Sequence, residues 1–243
     1  MIYKEFSVEN NVIDAFENIE PPKNQLLVAS LDHGLNNPTA WLWSTVDGDG
    51  NMFIFDEYYA QGIVSSHAKA VHELNFQHGR VPNYYIGDPS IRNREPLQGS
   101  SVLEEYSSFG IYIGLANNDV SAGYSRVRAR LAGLNKRKLY ITRNCTHLLY
   151  EINRLHYDDF ASKRLSTTNN AKETQKKKDD HACDSLRYMV MSRPELYDDG
   201  KFIPEEPKDL PRDFTHGEPE LTPMRQYVTS KRQNYDEHMG ANY

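Results

Sequence analysis

The sequence predicts an α/β domain built on a mixed β-sheet flanked by helices. Two observations predict it. Three strand-like runs follow one another directly: LLVASLD (26 to 32), AWLWSTV (40 to 46) and NMFIFDEYY (51 to 59). Beyond them, helical and strand-like stretches alternate up to a closing helix that ends before Pro194. Strands joined by short turns pair antiparallel, and strands separated by helices pair parallel. The expected sheet therefore has antiparallel first three strands and then parallel ones.

Each element has its own signal. Residues 1 to 24 are polar, end in EPPKN, and read as a linker or N-terminal arm. The apolar run 26 to 32 has strand length and ends in Asp32. DGDG at 47 to 50 is a hairpin signal between the second and third strands. It also resembles the start of a calcium loop, but Met52 stands where that loop needs Gly and Tyr58 where it needs Glu. Residues 62 to 79 read as an amphipathic helix, capped by Ser65 or Ser66 and ended by Gly79. The strand YYIGD (84 to 88) ends in Asp88. A short helix (101 to 110), a strand (111 to 116), a helix (119 to 134), a short edge strand (137 to 142) and a helix (146 to 157) follow. Residues 158 to 178 are polar and read as a mobile loop. The closing helix runs from about Asp179 to Ser192, and 194 to 243 reads as an extended or disordered tail. The folded domain is thus expected over 25 to 193. Trp41, Trp43 and Tyr58 are expected in the core.

No run of 18 apolar residues is present, so no membrane-spanning helix is expected. The N-terminus lacks the basic and apolar regions of a secretory signal. Cys145 and Cys183 form no CxxC pair, which argues against structural zinc and fits a reducing compartment. Net charge is −6, yet residues 122 to 187 hold 15 lysines and arginines against 7 acids, while 194 to 243 hold 6 against 11. The basic segment is an electrostatic footprint for phosphates.

That basic segment also holds an acidic cluster. In KKKDDHACDSLRYMV (176 to 190), Asp180 and Asp184 are four apart, and His181 and Asp184 three apart. Those spacings share one helical face. Carboxylates crowded on one face repel, and a divalent cation relieves the repulsion. Asp32 and Asp88 close two apolar strands, and chemistry in open α/β sheets collects at the carboxyl ends of strands. Together these residues suggest a cage for one or two Mg2+ or Mn2+ ions. Gly87 would leave room for a phosphate, and Pro89 would hold Asp88 extended. Asp184 is the first choice of helix ligand and Asp180 the second. His181 is a further candidate, and Asp179 reads better as a helix cap. Arg126, Arg128 and Arg130, with Lys176, Lys177 and Lys178, are candidate phosphate contacts that position DNA without reading its sequence.

The motifs SLDHG, FDEYY, IGDPS, NNDVSAGYSRVRARL and DDHACDSLRY occur in an order that resembles the ribonuclease H-like superfamily. More narrowly, residues 26 to 193 resemble the C-terminal nuclease domain of the large terminase subunit of tailed bacteriophages. The resemblance implies a metal-dependent endonuclease that cuts concatemeric double-stranded viral DNA during genome packaging in the host cell cytoplasm. It implies Asp32, Asp88 and acids of the last helix as catalytic metal ligands. Two ions roughly 3.5–4 Å apart are expected to act on the attacking water and the leaving oxygen. The family's full-length protein carries an N-terminal ATPase and works with the small terminase and the portal protein. No G-x-x-x-x-G-K-[ST] motif occurs here, so the expectation is the nuclease portion without the motor. Two alternatives stay open: another nuclease of this fold, of Holliday junction resolvase or transposase type, and a non-catalytic DNA- or portal-binding module.

Overall fold

The computed structural model describes residues 1–16, 22, 24–94, 99–156 and 180–192. Its seven strands are β1 (Val12–Ile13), β2 (Leu26–Asp32), β3 (Thr39–Val46), β4 (Met52–Ala60), β5 (Tyr84–Gly87), β6 (Ile113–Leu115) and β7 (Leu139–Thr142). The helices are α1 (Val8–Asn11), α2 (Val64–Gln77), α3 (Val102–Ser108), α4 (Val120–Leu131), α5 (Thr146–Ile152) and α6 (His181–Met191). The strands form one sheet in the order β1-β7-β4-β3-β2-β5-β6. β2, β3 and β4 pair antiparallel, and β5, β6 and β7 join parallel. This is the mixed sheet, antiparallel in its first three long strands and parallel beyond, that the sequence predicts. The DGDG hairpin is there too, with Gly50 at φ 78° and the Asp47 carboxylate accepting from the Asp49 and Asn51 amides.

Alternation along β2 decides which side chains meet. Leu26 and Val28 face a core shared with Val127 of α4, Leu148 of α5 and Leu186 of α6. Leu27, Ala29 and Leu31 face the opposite core, with Trp41, Trp43, Ala68 of α2 and Tyr106 of α3. A period of two sends Ser30 and Asp32 to the α6 side. Ser30 confirms the phase, since its hydroxyl lies 2.7 Å from that of Ser185 on α6. Trp41 and Trp43 are fully buried, as expected, and Tyr58 is half-buried with its hydroxyl on His67.

Three expectations are corrected. Residues 1 to 13 are part of the domain rather than a linker. Ile2 and Tyr3 are buried, β1 pairs with β7, and the Asn11 amide donates to the Leu131 and Leu139 carbonyls. The apolar pairs Ile2-Tyr3 and Val12-Ile13 are too short for a periodic signal, and their partners lie over a hundred residues away. β7 is consequently not the edge strand, because β1 lies outside it. Helix α2 starts at Val64 after Ile63, which offers no side-chain cap, so Ser65 and Ser66 sit inside its first turn. The 158 to 178 loop and the 194 to 243 tail lie outside the described residues, as does Asp179.

Candidate metal centre

Asp32 ends β2 and is nearly buried. The parallel register pairs Leu31 with Gly87, so the next residue on each strand, Asp32 and Asp88, stands side by side at one end of the sheet. The Asp88 amide extends this pairing by donating to the Leu31 carbonyl at 3.3 Å. On the same face, α6 brings His181 to Asp32, with Nδ1 2.8 Å from Oδ2. Burial raises the pKa of Asp32; the His181 hydrogen bond opposes this, and the charges of Asp88 and Asp180 add to it. The pKa of His181 is raised in turn, chiefly by its bond to Asp32.

Asp184 lies one turn into α6. Burial pushes its pKa up to about 6, Arg187 pulls against that, and Asp32 and Asp180 push further up. Arg187 is buried, donates from Nε to Asp184 Oδ1 at 3.1 Å, and donates from Nη1 to Asn118. Asp180 is nearly buried at the cap position of α6, and its side chain makes no capping bond to the helix amides. The pKa of the Tyr188 hydroxyl is raised by burial and then by Asp184, Asp32 and Asp88. Carboxylates from β2, from the residue after β5 and from α6 therefore lie near enough for their charges to act on one another.

Asp88 is half-buried and extended (φ −53°, ψ 129°), as its place before Pro89 predicts. It also caps the 3-10 turn Pro89–Arg92, accepting from the Ser90 amide at 2.9 Å and its hydroxyl at 2.8 Å. The reading of Gly87 is corrected. A Cβ there would lie 3.0 Å from Ile113, 3.3 Å from Ile91 and 3.5 Å from Leu31. Gly87 lies opposite Leu31, so its missing side chain faces the α2–α3 core and serves packing rather than a phosphate.

Among the described residues, no three His, Cys, Asp or Glu side chains stand in a ready-made metal cage. Three of the carboxylates are turned to internal partners: Asp32 to His181, Asp88 to Ser90, Asp184 to Arg187. The donor set still fits a hard divalent cation. It offers carboxylate oxygens with spare lone pairs, and burial first, with the neighbouring carboxylates adding, raises the pKa of Asp32 and Asp184. Asp32, Asp88, Asp180 and Asp184 are the groups that would hold it, with His181 beside Asp32.

The candidate DNA contacts fare differently. Arg128 forms a two-pronged ion pair with Glu5, with contacts of 2.7 to 2.9 Å. Arg130 donates to the Gly50 carbonyl at 2.8 Å. Both hold the domain together, tying α4 to the N-terminal segment and to the hairpin. Arg126 is half-buried on α4, and Lys176, Lys177 and Lys178 lie outside the described residues.

Arg187 and Tyr188 were missed in the sequence, although Arg187 stands three residues after Asp184, a spacing that pairs opposite charges on a helix. Glu151 was missed as well. It accepts from the Cys183 amide of α6 across 32 residues, and no local signal announces it.

No protein-family model matches the chain, and no curated protein matches it. Solved structures do. The nuclease domain of the phage P22 large terminase aligns with a TM-score of 0.62 at 17% identity, over 79% of this chain and 91% of that one. A large terminase from a thermophilic bacteriophage aligns with a TM-score of 0.61 at 20% identity over 78% of this chain. This chain covers 44% of that protein. The large terminase nuclease of the thermophilic phage G20c, in a structure with bound magnesium, aligns at 0.53 and 14% identity over 78% of this chain and 95% of that one. The chain has the fold of the nuclease domains of phage large terminases.

Proposed function

We propose that the chain is a divalent-metal-dependent endonuclease domain that cuts double-stranded DNA during viral genome packaging. The observation that carries this reading is the convergence of Asp32, Asp88 and the α6 acids at one end of the sheet, on a fold shared with terminase nucleases. Asp32 is central, since it neighbours both Asp88 and His181. Asp88 holds a rigid place because Ser90 and the 3-10 turn fix its carboxylate. Asp184 and Asp180 would supply the third side of a bound cation, and His181 orients Asp32. Bound Mg2+ or Mn2+, two ions in this reading, would activate water and stabilise charge on the phosphate. Sequence preference is weak, because phosphate contacts position DNA without specifying bases. An ATPase motor, the small terminase and the portal protein are the proposed partners of the longer protein.

Supercoiled plasmid digestion tests this. Nicked and linear products are expected with Mn2+ or Mg2+ and none with EDTA, scattered over many sites. No cleavage with any divalent ion would turn the reading toward a DNA-binding module, and cutting at a single sharp site would contradict phosphate-dominated binding.

A further inference from the structure

Helix α6 carries Asp184 and begins directly after Asp180, so the placement of its first turn sets the third side of the centre. The first amides of a helix have no partner within it and need one from elsewhere. In α6 the cap residue's side chain does not supply it. Glu151, at the end of α5, does. Its Oε2 accepts from the Cys183 amide at 3.0 Å, across 32 residues of sequence. Glu151 is buried, and its carboxyl faces the positive end of the α6 dipole.

Helix α5 is held in the same manner. Its cap residue, Cys145, makes no side-chain bond to the helix amides. Glu57 of β4 takes that place, accepting from the His147 amide at 2.7 Å and the Leu148 amide at 3.0 Å. It also binds His147 Nδ1 at 2.9 Å. The His147 ring stacks flat on Tyr59, 4.3 Å between centroids. Two carboxylates thus link the sheet to α5 and α5 to α6.

Resting on the metal reading above, we propose that Glu151 is a positioning residue for the metal ligands of α6, and that Glu57 ties it to the sheet through α5. Glu151 touches neither metal nor substrate. It fixes where along its axis α6 begins, and with it how far Asp184 and His181 reach toward Asp32.

The test compares Glu151→Asp, which keeps the carboxyl but is one methylene short, with Glu151→Gln, which keeps the reach and one accepting oxygen. Amide exchange at Cys183 is read by NMR without metal, and Mn2+ affinity by calorimetry. In the Asp variant that amide is expected to exchange faster while Met189 is unchanged, and Mn2+ affinity to fall on the order of tenfold, as when outer-shell partners are lost. The Gln variant is expected to stay within about twofold of wild type in both, since its oxygen accepts the same amide bond. Wild-type exchange and affinity in the Asp variant overturn the proposal, as does a Gln variant impaired as badly as Asp. If the wild type binds no Mn2+, the metal reading fails by itself. The exchange rate at Cys183 then decides the placement of α6 alone.

Discussion

Asp32→Asn is expected to abolish cleavage while the domain stays folded. The substitution keeps the shape and leaves an oxygen to accept from His181, but removes the charge that the metal needs. The expected loss is at least about a thousandfold, or roughly 4 kcal/mol of transition-state stabilisation. Stability without metal should change little. Burial raises the pKa of Asp32, so its ionised form costs the fold some stability at neutral pH, and removing the charge relieves that cost. The lost attraction to His181 works the other way. The readout is a plasmid assay beside a melting curve with and without Mn2+. Wild type should melt higher with Mn2+ by mass action, and the variant should not. Asp184→Asn should behave similarly in cleavage. Full activity in either variant would sink the ligand assignment.

The second large effect concerns Glu151 and pH. Burial pushes its carboxyl up to about 7, against the bond from the Cys183 amide that pulls it down. A carboxyl whose folded pKa lies above its unfolded value stabilises most when protonated. That contribution is intact below about 4.5 and is lost as pH rises through 7. The full loss is about 3 kcal/mol at the conversion of 1.36 kcal/mol per pKa unit. His181 adds in the same direction, since its raised pKa favours the protonated form in the fold. Glu151→Gln isolates the carboxyl. Urea unfolding should show the variant equal to wild type near pH 4 and more stable by up to about 3 kcal/mol near pH 8. An equal difference at both pH values would show that Glu151 is not held protonated by its surroundings.

The sheet was legible because its signals are local. The apolar run LLVASLD, the DGDG turn and the Pro after Asp88 each act within a few residues, and each is realised. The strand-end positions of Asp32 and Asp88 were legible for the same reason, and so was the helical spacing of His181 and Asp184. What escaped depends on long-range contact. The β1–β7 pairing spans some 130 residues, and two strand residues carry no period. The sequence shows the charge of Arg128 and Arg130 but not their partners within the fold, Glu5 and Gly50, which lie far off in sequence. Gly87 was assigned to the wrong face because its orientation depends on register with Leu31. Glu57 and Glu151 look like ordinary acids on a strand and a helix until the fold aims them at helix amides.

The central claim is that Asp32, Asp88 and the acids of α6 hold a divalent cation together. Anomalous diffraction from crystals soaked in Mn2+ tests it most directly. The expected result is a manganese peak within about 2.0–2.6 Å of an Asp32 carboxylate oxygen, shared with Asp88 and with Asp184 or Asp180. A saturated soak that places manganese elsewhere, or leaves these carboxylates on His181, Ser90 and Arg187 with no peak between them, would contradict it.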